Sequence, residues 1–262
     1  MREKKPIVIA NWKMALTNSG VAQLLIDALD QLQDDPKSVR TVICPSFPAL
    51  AIVHEMLERT NIALGAQDVF WRTRASFTGE VSVEQLIDVG CTYVIVGHSE
   101  RREHLGETDT IVQQKFVKAL ESRLIPILCV GETRDERLGG MRETVVMRQL
   151  QHAFQGVELD AKVIVAYEPV WVIGTGQAVE PSDARGMGIV IRDALINMLG
   201  EKTFEENVEI VYGGSVTHEN VGDFIDGDVL RGVLVGGASQ EAKSLADLIH
   251  ASTEIVYTGD KK

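Results

Sequence analysis

The sequence predicts a closed (β/α)8 barrel, in which eight parallel strands alternate with helices. Three observations carry this prediction: short β-branched apolar runs recur along the chain, an amphipathic segment follows most of them, and the runs are apolar on both strand faces. Strands of that kind lie in a parallel sheet that helices cover. Eight strand–helix repeats fit a closed barrel, and a doubly wound open sheet is the alternative.

Eight apolar runs are the expected strands, and the longest segments between them have helical periodicity. The expected strands are residues 7–10, 39–44, 62–66, 93–96, 125–130, 162–167, 208–212 and 233–235. The expected helices include residues 21–33, 108–122, 142–154, 182–199 and 240–251. No linker or low-complexity stretch divides the chain, so we expect residues 1–262 to form a single domain.

Composition limits the partners that we expect for this chain. The formal net charge is −12 and no basic block offsets it, so a nucleic-acid-binding role is not expected. The first apolar run stops at Ala10, and no later run is long enough to cross a membrane, so neither a signal peptide nor a membrane partner is expected. A local site for a small anion is compatible with the acidic charge.

The spacing of cysteines and histidines argues against disulfides and metal chemistry. Cys44, Cys91 and Cys129 are odd in number and form no close pair, which is typical of reduced, buried thiols in a cytoplasmic protein. The six histidines show no metal-ligand spacing. We therefore expect no metal site.

One connection, residues 67–80, is longer than a simple turn between a strand and a helix requires. Long loops in compact domains tend to be functional or disordered. This loop carries Phe70, Trp71 and Phe77, which a solvated loop would not expose. We expect an interface in a homo-oligomer rather than disorder.

Polar residues and glycines gather where five of the expected strands end. In a parallel barrel the carboxyl ends of the strands form the face that carries the chemistry. The five strand ends are Asn11-Trp12-Lys13, Gly97-His98-Ser99-Glu100, Glu168, Gly213-Gly214-Ser215 and Gly236-Gly237-Ala238-Ser239. We expect one carboxylate, one imidazole, one ammonium group and two glycine-rich turns to converge there.

Glu168 is the candidate general base. It follows the apolar residues 163–166, and Pro169 leads from it into a glycine-rich loop. A carboxylate held at a dry strand end beside a movable cover suits proton abstraction. Taken alone, Glu168 fits a solvated strand-to-loop junction better, and it is the other strand ends that favour the catalytic role.

His98 and Lys13 are the candidate partners of this base. Ser99 and Glu100 resemble a first helical turn, and a helix N-terminus facing an imidazole favours its neutral, hydrogen-bond-donating form. Lys13 could neutralise a substrate anion or a developing oxyanion. Each residue alone also has a structural interpretation: His98 as a core histidine, Lys13 as an exposed cation, and Glu100 as a first-turn carboxylate rather than a partner of Lys13.

The glycine-rich turns after the last two strands are candidate phosphate sites. Without Cβ atoms, the backbone of Gly213-Gly214-Ser215 and of Gly236-Gly237 can approach a phosphate, and the N–H groups of a helix start can bind it. Each turn alone could be a tight connection and nothing more. Barrels commonly bind phosphate at these two successive turns, which favours the phosphate site.

Seven short blocks combine these residues into one pattern. They are Asn11-Trp12-Lys13, Phe77-Thr78-Gly79-Glu80, Cys129-Val130-Gly131-Glu132 and residues 97–102, 167–176, 212–216 and 234–239. Through these blocks the chain resembles the triosephosphate isomerase family along nearly its whole length. The resemblance implies a single-domain TIM barrel that interconverts dihydroxyacetone phosphate and D-glyceraldehyde 3-phosphate through an enediolate, in glycolysis and gluconeogenesis, without a cofactor.

The resemblance also implies a catalytic role for four residues. Glu168 would take the proton from the carbon next to the carbonyl group. Neutral His98 would polarise the substrate oxygens and carry protons between them. Lys13, oriented near Asn11, would stabilise the enediolate.

Phosphate binding, loop closure and dimerisation are implied in the same way. The phosphate would be held by the backbone of Gly174, Ser215, Gly236 and Gly237. The lid, residues 169–177, would close over the site, and Tyr212 and Ser215 would latch it. Thr78 would insert into the partner subunit of a homodimer.

Four positions depart from the usual pattern of the family. Val172 and Gln177 replace an alanine and a lysine of the lid, Asp68 replaces an asparagine of the dimer loop, and Arg231 replaces an acidic or amide residue before Gly232. None of these changes removes a catalytic group.

Two alternative functions remain open from the sequence. One is another phosphosugar isomerase or lyase on the same barrel, and the other is a non-catalytic phosphometabolite-binding protein.

Overall fold

A computed structural model of the chain describes residues 5–32, 38–73, 76–172 and 179–255. Its strands are β1 (Ile7–Asn11), β2 (Arg40–Cys44), β3 (Ala63–Ala66), β4 (Tyr93–Val96), β5 (Ile125–Val130), β6 (Val163–Tyr167), β7 (Val208–Gly213) and β8 (Leu230–Val235). They pair in sequence order, and β8 pairs with β1 in parallel. The predicted single-domain barrel is confirmed, and the open-sheet alternative is wrong because the sheet has no edge.

The helices surround this barrel. They are α1 (Asn18–Leu32), α2 (Leu50–Leu57), α3 (Val83–Asp88), α4 (Ser99–His104), α5 (Asp109–Glu121), α6 (Arg134–Leu138), α7 (Arg142–Phe154), α8 (Pro181–Leu199), α9 (Glu201–Asn207), α10 (Val221–Phe224) and α11 (Ala242–Thr253). The five predicted helices are present with ends that differ by up to three residues. Within the described ranges, no helix is long and apolar enough to span a membrane.

The strands are apolar on both faces because each face packs against a different layer. Alternate residues such as Ile9 and Ile127 point to the barrel interior and form a small cluster there. The residues between them, such as Val8 and Leu128, join the larger cluster that the helices cover. This arrangement holds the strand ends in a closed ring.

Strand β8 begins three residues earlier than the sequence predicts. Gly232 interrupts the apolar run, which makes the run appear to start at Val233. In the structure a Cβ atom at position 232 would overlap the carbonyl oxygen of Ile7 on β1. Glycine is needed there for the close approach of two strands, and the strand continues through it.

The long connection after β3 packs partly on its own chain. Phe70 is buried, its N–H group donates to the Val81 carbonyl at 2.8 Å, and its ring lies 4.6 Å from that of Phe77. Phe77 is 43% exposed, and Thr78 is exposed beside it. Among these aromatic residues, Phe77 therefore offers the clearest surface to a partner.

Candidate active site

The carboxyl ends of β1, β4, β6, β7 and β8 surround a cavity of about 330 Å³. The candidate residues that line it are Asn11, Lys13, His98, Glu168, Ser215, Gly236 and Gly237. The structure thus brings together the four candidates for catalysis and three of the four for phosphate binding. The fourth, Gly174, lies outside the described residues, as does Gln177.

Glu168 lies immediately after β6 and is 3% exposed. Its N–H group donates to the Val130 carbonyl at 2.7 Å, which extends the pairing of β5 and β6 by one residue. Its carboxylate lies 3.2 Å from His98 Nε2 through Oε1 and accepts the Ser99 N–H group at 3.3 Å through Oε2. The interpretation of Glu168 as a solvated carboxylate is excluded by this burial.

Two glycines make room for Glu168. A Cβ atom at Gly213, the last residue of β7, would stand 2.7 Å from Glu168 Cγ. A Cβ atom at Gly131 would overlap the carbonyl oxygen of Glu168. The sequence analysis assigned neither glycine to the base, although both directly follow apolar residues near a strand end.

His98 caps the N-terminus of α4 with its own side chain. Its Nδ1 atom accepts the Glu100 N–H group at 3.2 Å. A nitrogen that accepts a hydrogen bond carries no proton, so the ring is neutral and its proton is on Nε2. That Nε2–H group faces the cavity and Glu168, as a neutral donor to a substrate oxygen would.

Lys13 is held in the cavity by three neighbours. Its backbone is left-handed, with φ of 50°, and its N–H group donates to Asn11 Oδ1 at 3.1 Å. Its Nζ donates to Glu100 Oε1 at 2.5 Å, and Gln67 Nε2 donates to its carbonyl at 2.9 Å. Lys13 is therefore a fixed cation rather than a solvated one.

Glu100 is both a first-turn residue of α4 and the ion-pair partner of Lys13. Burial raises the pKa of Glu100, but the hydrogen bond and charge of Lys13 outweigh burial and hold this pKa below its usual range. Both interpretations of Glu100 that the sequence left open therefore apply together.

The two glycine-rich turns differ in how close a helix begins. After β8, Gly236 precedes the 3-10 turn Gly237–Ser239 directly. After β7, α10 begins only at Val221, so the expectation of a helix start beside Gly214 and Ser215 is wrong. Gly213 belongs to β7, and the cavity is lined after it by Gly214, Ser215, Thr217 and Asn220.

Tyr212 is buried near the end of β7, one residue before Gly213. Its buried ring stacks on Phe224 at 4.3 Å, and burial raises the pKa of Tyr212 to about 12. Its hydroxyl oxygen accepts the Val179 N–H group at 3.5 Å. Val179 is the first described residue after residue 172, so Tyr212 contacts the chain directly after the gap in the described residues.

Glu132 is a residue of the site that the sequence analysis did not assign. The buried side-chain carboxylate of Glu132 accepts hydrogen bonds from Tyr167 Oη at 3.2 Å and from Trp171 Nε1 at 3.1 Å. The backbone carbonyl of Glu132 accepts the Val170 N–H group at 3.0 Å. Burial raises the pKa of Glu132, and burial and the nearby Glu132 raise that of Tyr167. Glu132 therefore binds the chain just before and just after Glu168.

The Arg101 side of α4 rests on a buried ionic cluster. Lys115 Nζ donates to Asp68 Oδ1 at 2.6 Å and to Glu107 Oε1 at 2.5 Å, while Arg101 binds the same two carboxylates. Asp68, which the sequence analysis placed near an interface, is thus neutralised within its own chain. Burial nevertheless raises the pKa of Asp68.

A buried carboxylate, a neutral imidazole and a fixed ammonium group beside glycine-rich turns define a barrel enzyme of the acid–base type that acts on small phosphorylated substrates. Within the described part of the chain, no group of three or more histidine, cysteine, aspartate or glutamate residues is arranged so that it could hold a metal ion.

Comparison with known proteins agrees with this class. The family model described as triosephosphate isomerase matches residues 6–252. The chain is 43% identical over 249 residues to the triosephosphate isomerase of Roseiflexus sp. (strain RS-1), covering 94% of this chain and 97% of that protein. It is 42% identical over 246 residues to that of Aquifex aeolicus (strain VF5), covering 94% and 98%. The chain belongs to the triosephosphate isomerase family.

Proposed function

We propose that this chain interconverts dihydroxyacetone phosphate and D-glyceraldehyde 3-phosphate by proton transfer through an enediolate, and so acts in glycolysis and gluconeogenesis. The observation that carries this proposal is the 3.2 Å approach of Glu168 Oε1 to His98 Nε2 in a cavity that Lys13 also lines. A carbon acid next to a carbonyl group needs a base at the carbon and a proton donor at the oxygen, and this pair supplies both.

Glu168 is proposed as the base. Its N–H group is bound to the Val130 carbonyl and its carboxylate is buried. The carboxylate therefore needs to move little between the free enzyme and the geometry in which it removes the proton. On proton removal, charge moves to the carbonyl oxygen of the substrate. The Nε2–H group of His98 and the ammonium group of Lys13 both stabilise that developing oxyanion.

His98 is further proposed to carry the proton between the two substrate oxygens. It can do so because Nδ1 stays occupied by the Glu100 N–H group, which leaves Nε2 as the one exchanging nitrogen. Lys13 keeps its position during this step through Asn11 and Glu100. The carboxylic acid that Glu168 has become then donates its proton to the neighbouring carbon, which restores the carboxylate.

The phosphate group is proposed to bind at Ser215, Gly236 and Gly237, with Gly174 completing the site from the lid. No heavy atom lies within 4 Å of a Cβ position at Gly237, which leaves room near its backbone. Tyr212 and Ser215 are proposed as the latch of the closed lid, supported by the contact of Tyr212 with Val179. A closed lid would exclude water from the enediolate.

A homodimer in the cytoplasm is part of the same proposal. The connections after β1 and β3 and the C-terminal end of α4 expose three apolar side chains: Met14 at 94%, Phe77 at 43% and Leu105 at 64%. Thr78 is exposed beside Phe77 and is the proposed contact with the partner subunit. The three buried free thiols suit a reducing compartment. Light scattering at micromolar concentration should give the mass of a dimer; a stable monomer would contradict the interface.

A coupled assay with purified protein and glyceraldehyde 3-phosphate tests the activity directly. We expect turnover that a three-carbon phosphate analogue inhibits better than a five-carbon sugar phosphate. Preference for the five-carbon compound would favour another phosphosugar isomerase or lyase. Phosphate binding without turnover would favour the non-catalytic alternative.

A further inference from the structure

Gln149 on α7 binds both backbone polar groups of Gly131. Its Oε1 atom accepts the Gly131 N–H group at 2.8 Å, and its Nε2 atom donates to the Gly131 carbonyl at 3.1 Å. Gln149 is 5% exposed, so water is a poor substitute for either bond. Inside a sheet, a neighbouring strand would bind the N–H and carbonyl groups of such a residue. Gly131 lies beyond the end of β5, and the side-chain amide of Gln149 binds both groups instead.

Gly131 in turn lies against the backbone of the base. Residues 130–132 run beside residues 168–170: the Val130 carbonyl accepts the Glu168 N–H group at 2.7 Å, and the Glu132 carbonyl accepts that of Val170 at 3.0 Å. Between these two bonds, Gly131 packs so closely on the Glu168 carbonyl that a Cβ atom would overlap it. A shift of Gly131 must therefore move Glu168 or break one of these bonds.

We propose that Gln149 is a positioning residue for the isomerisation, which holds the segment 130–132 and through it the backbone of Glu168 and the start of the lid. This inference rests on the proposed function of Glu168. Gln149 is expected to affect kcat rather than substrate binding, because the groups proposed to bind the phosphate lie on the turns after β7 and β8.

The amide of Gln149 satisfies both groups of Gly131 because it carries a donor and an acceptor. An ionised glutamate at position 149 could accept the Gly131 N–H group but would leave the carbonyl without a donor. A methionine of similar length would satisfy neither. The expected order of kcat is therefore wild type, then Gln149→Glu, then Gln149→Met.

The test compares kcat, KM and thermal stability for wild type, Gln149→Met, Gln149→Glu and the control Gln151→Met, which makes the same chemical change on the exposed side of α7. Gln149→Met should lower kcat roughly tenfold or more, since small misplacements of a reacting group cost up to about 100-fold. Its KM and its inhibition by inorganic phosphate should stay within about twofold of wild type, as should every constant of the control.

A folded Gln149→Met enzyme with wild-type kcat would overturn the inference, as would an equal loss of kcat in Gln151→Met or an effect on KM alone. If Gln149→Met does not fold, Gln149→Glu decides by the same criterion. Absence of turnover in the wild type would instead overturn the proposed function, so the two failures are distinguishable.

Discussion

The side chain of Glu168 occupies the space that the missing Cβ atom of Gly213 leaves open. A Cβ atom at Gly213 would stand 2.7 Å from Glu168 Cγ, which is closer than carbon atoms approach without a shift. Glu168 is buried and its backbone is fixed by Val130, so the shift would fall on the carboxylate. A glycine on the neighbouring strand therefore helps to set the direction of the proposed base.

Gly213→Ala should lower kcat by about tenfold or more, because a displaced base loses its alignment with the substrate carbon. Its KM should change less, since Gly213 does not line the cavity. Steady-state kinetics check this, with Gly186→Ala as control, because a Cβ atom there has no heavy atom within 4 Å. Wild-type kcat in Gly213→Ala would show that Glu168 is free to move aside.

Glu168→Gln should abolish most of the turnover and leave phosphate binding intact. Glutamine has the shape of glutamate but cannot accept the substrate proton, so kcat should fall by about 100-fold or more. Inorganic phosphate should still bind, because its proposed ligands lie on the turns after β7 and β8. Coupled assays and phosphate titration by calorimetry measure the two effects. Undiminished turnover in the variant would mean that another group is the base.

The sequence predicts the barrel well because its main signal is physical and local. Strands buried on both faces must be apolar throughout, and the strand ends then place Lys13, His98 and Glu168 on one face without further information. The predicted start of β8 was wrong because Gly232 was taken as a break before the strand. Glycine is needed there for a close approach to Ile7, on a strand that is far away in the sequence. No local pattern reports such a contact.

Gln149 and Glu132 escaped prediction for a related reason. Both are polar residues whose burial depends on tertiary partners, so their own segments do not reveal their roles. Gln149 does leave one trace, since it lies on the buried stripe of α7 with Val145, Val146 and Leu150. An amide on an apolar stripe indicates a backbone group that needs a partner, and Gly131 is that group.

Tyr212→Phe should reduce kcat while leaving the fold intact. The ring would still stack on Phe224, but the hydroxyl that accepts the Val179 N–H group would be lost. If this contact helps to latch the lid, kcat should fall by about tenfold or more, since lid closure completes the site. Thermal unfolding and steady-state kinetics separate the two properties. A lower melting temperature with wild-type kcat would assign Tyr212 to the core alone.

The buried thiols should be unreactive in the folded protein. Burial raises the pKa of Cys91 to about 12 and also raises the pKa values of Cys44 and Cys129, so the thiolate that reacts is scarce at pH 8. A colorimetric thiol reagent should detect three thiols after unfolding and none at early times in the native protein. Immediate reaction of one native thiol would show that its cover opens readily.

Asp109 should make stability depend on acid pH. Burial raises the pKa of Asp109, but the hydrogen bond and charge of Arg102, with the charge of Arg148, outweigh burial and lower this pKa. A lowered folded pKa contributes stability above the unfolded value of about 3.9, and that contribution is lost as the pH falls through the folded pKa. Asp109→Asn should therefore cost about 1 kcal/mol of unfolding free energy at pH 7 and progressively less below about pH 4. Urea unfolding of both proteins at neutral and at acid pH checks this. If Asp109→Asn lost more unfolding free energy as the pH fell, the pKa of Asp109 would be raised rather than lowered.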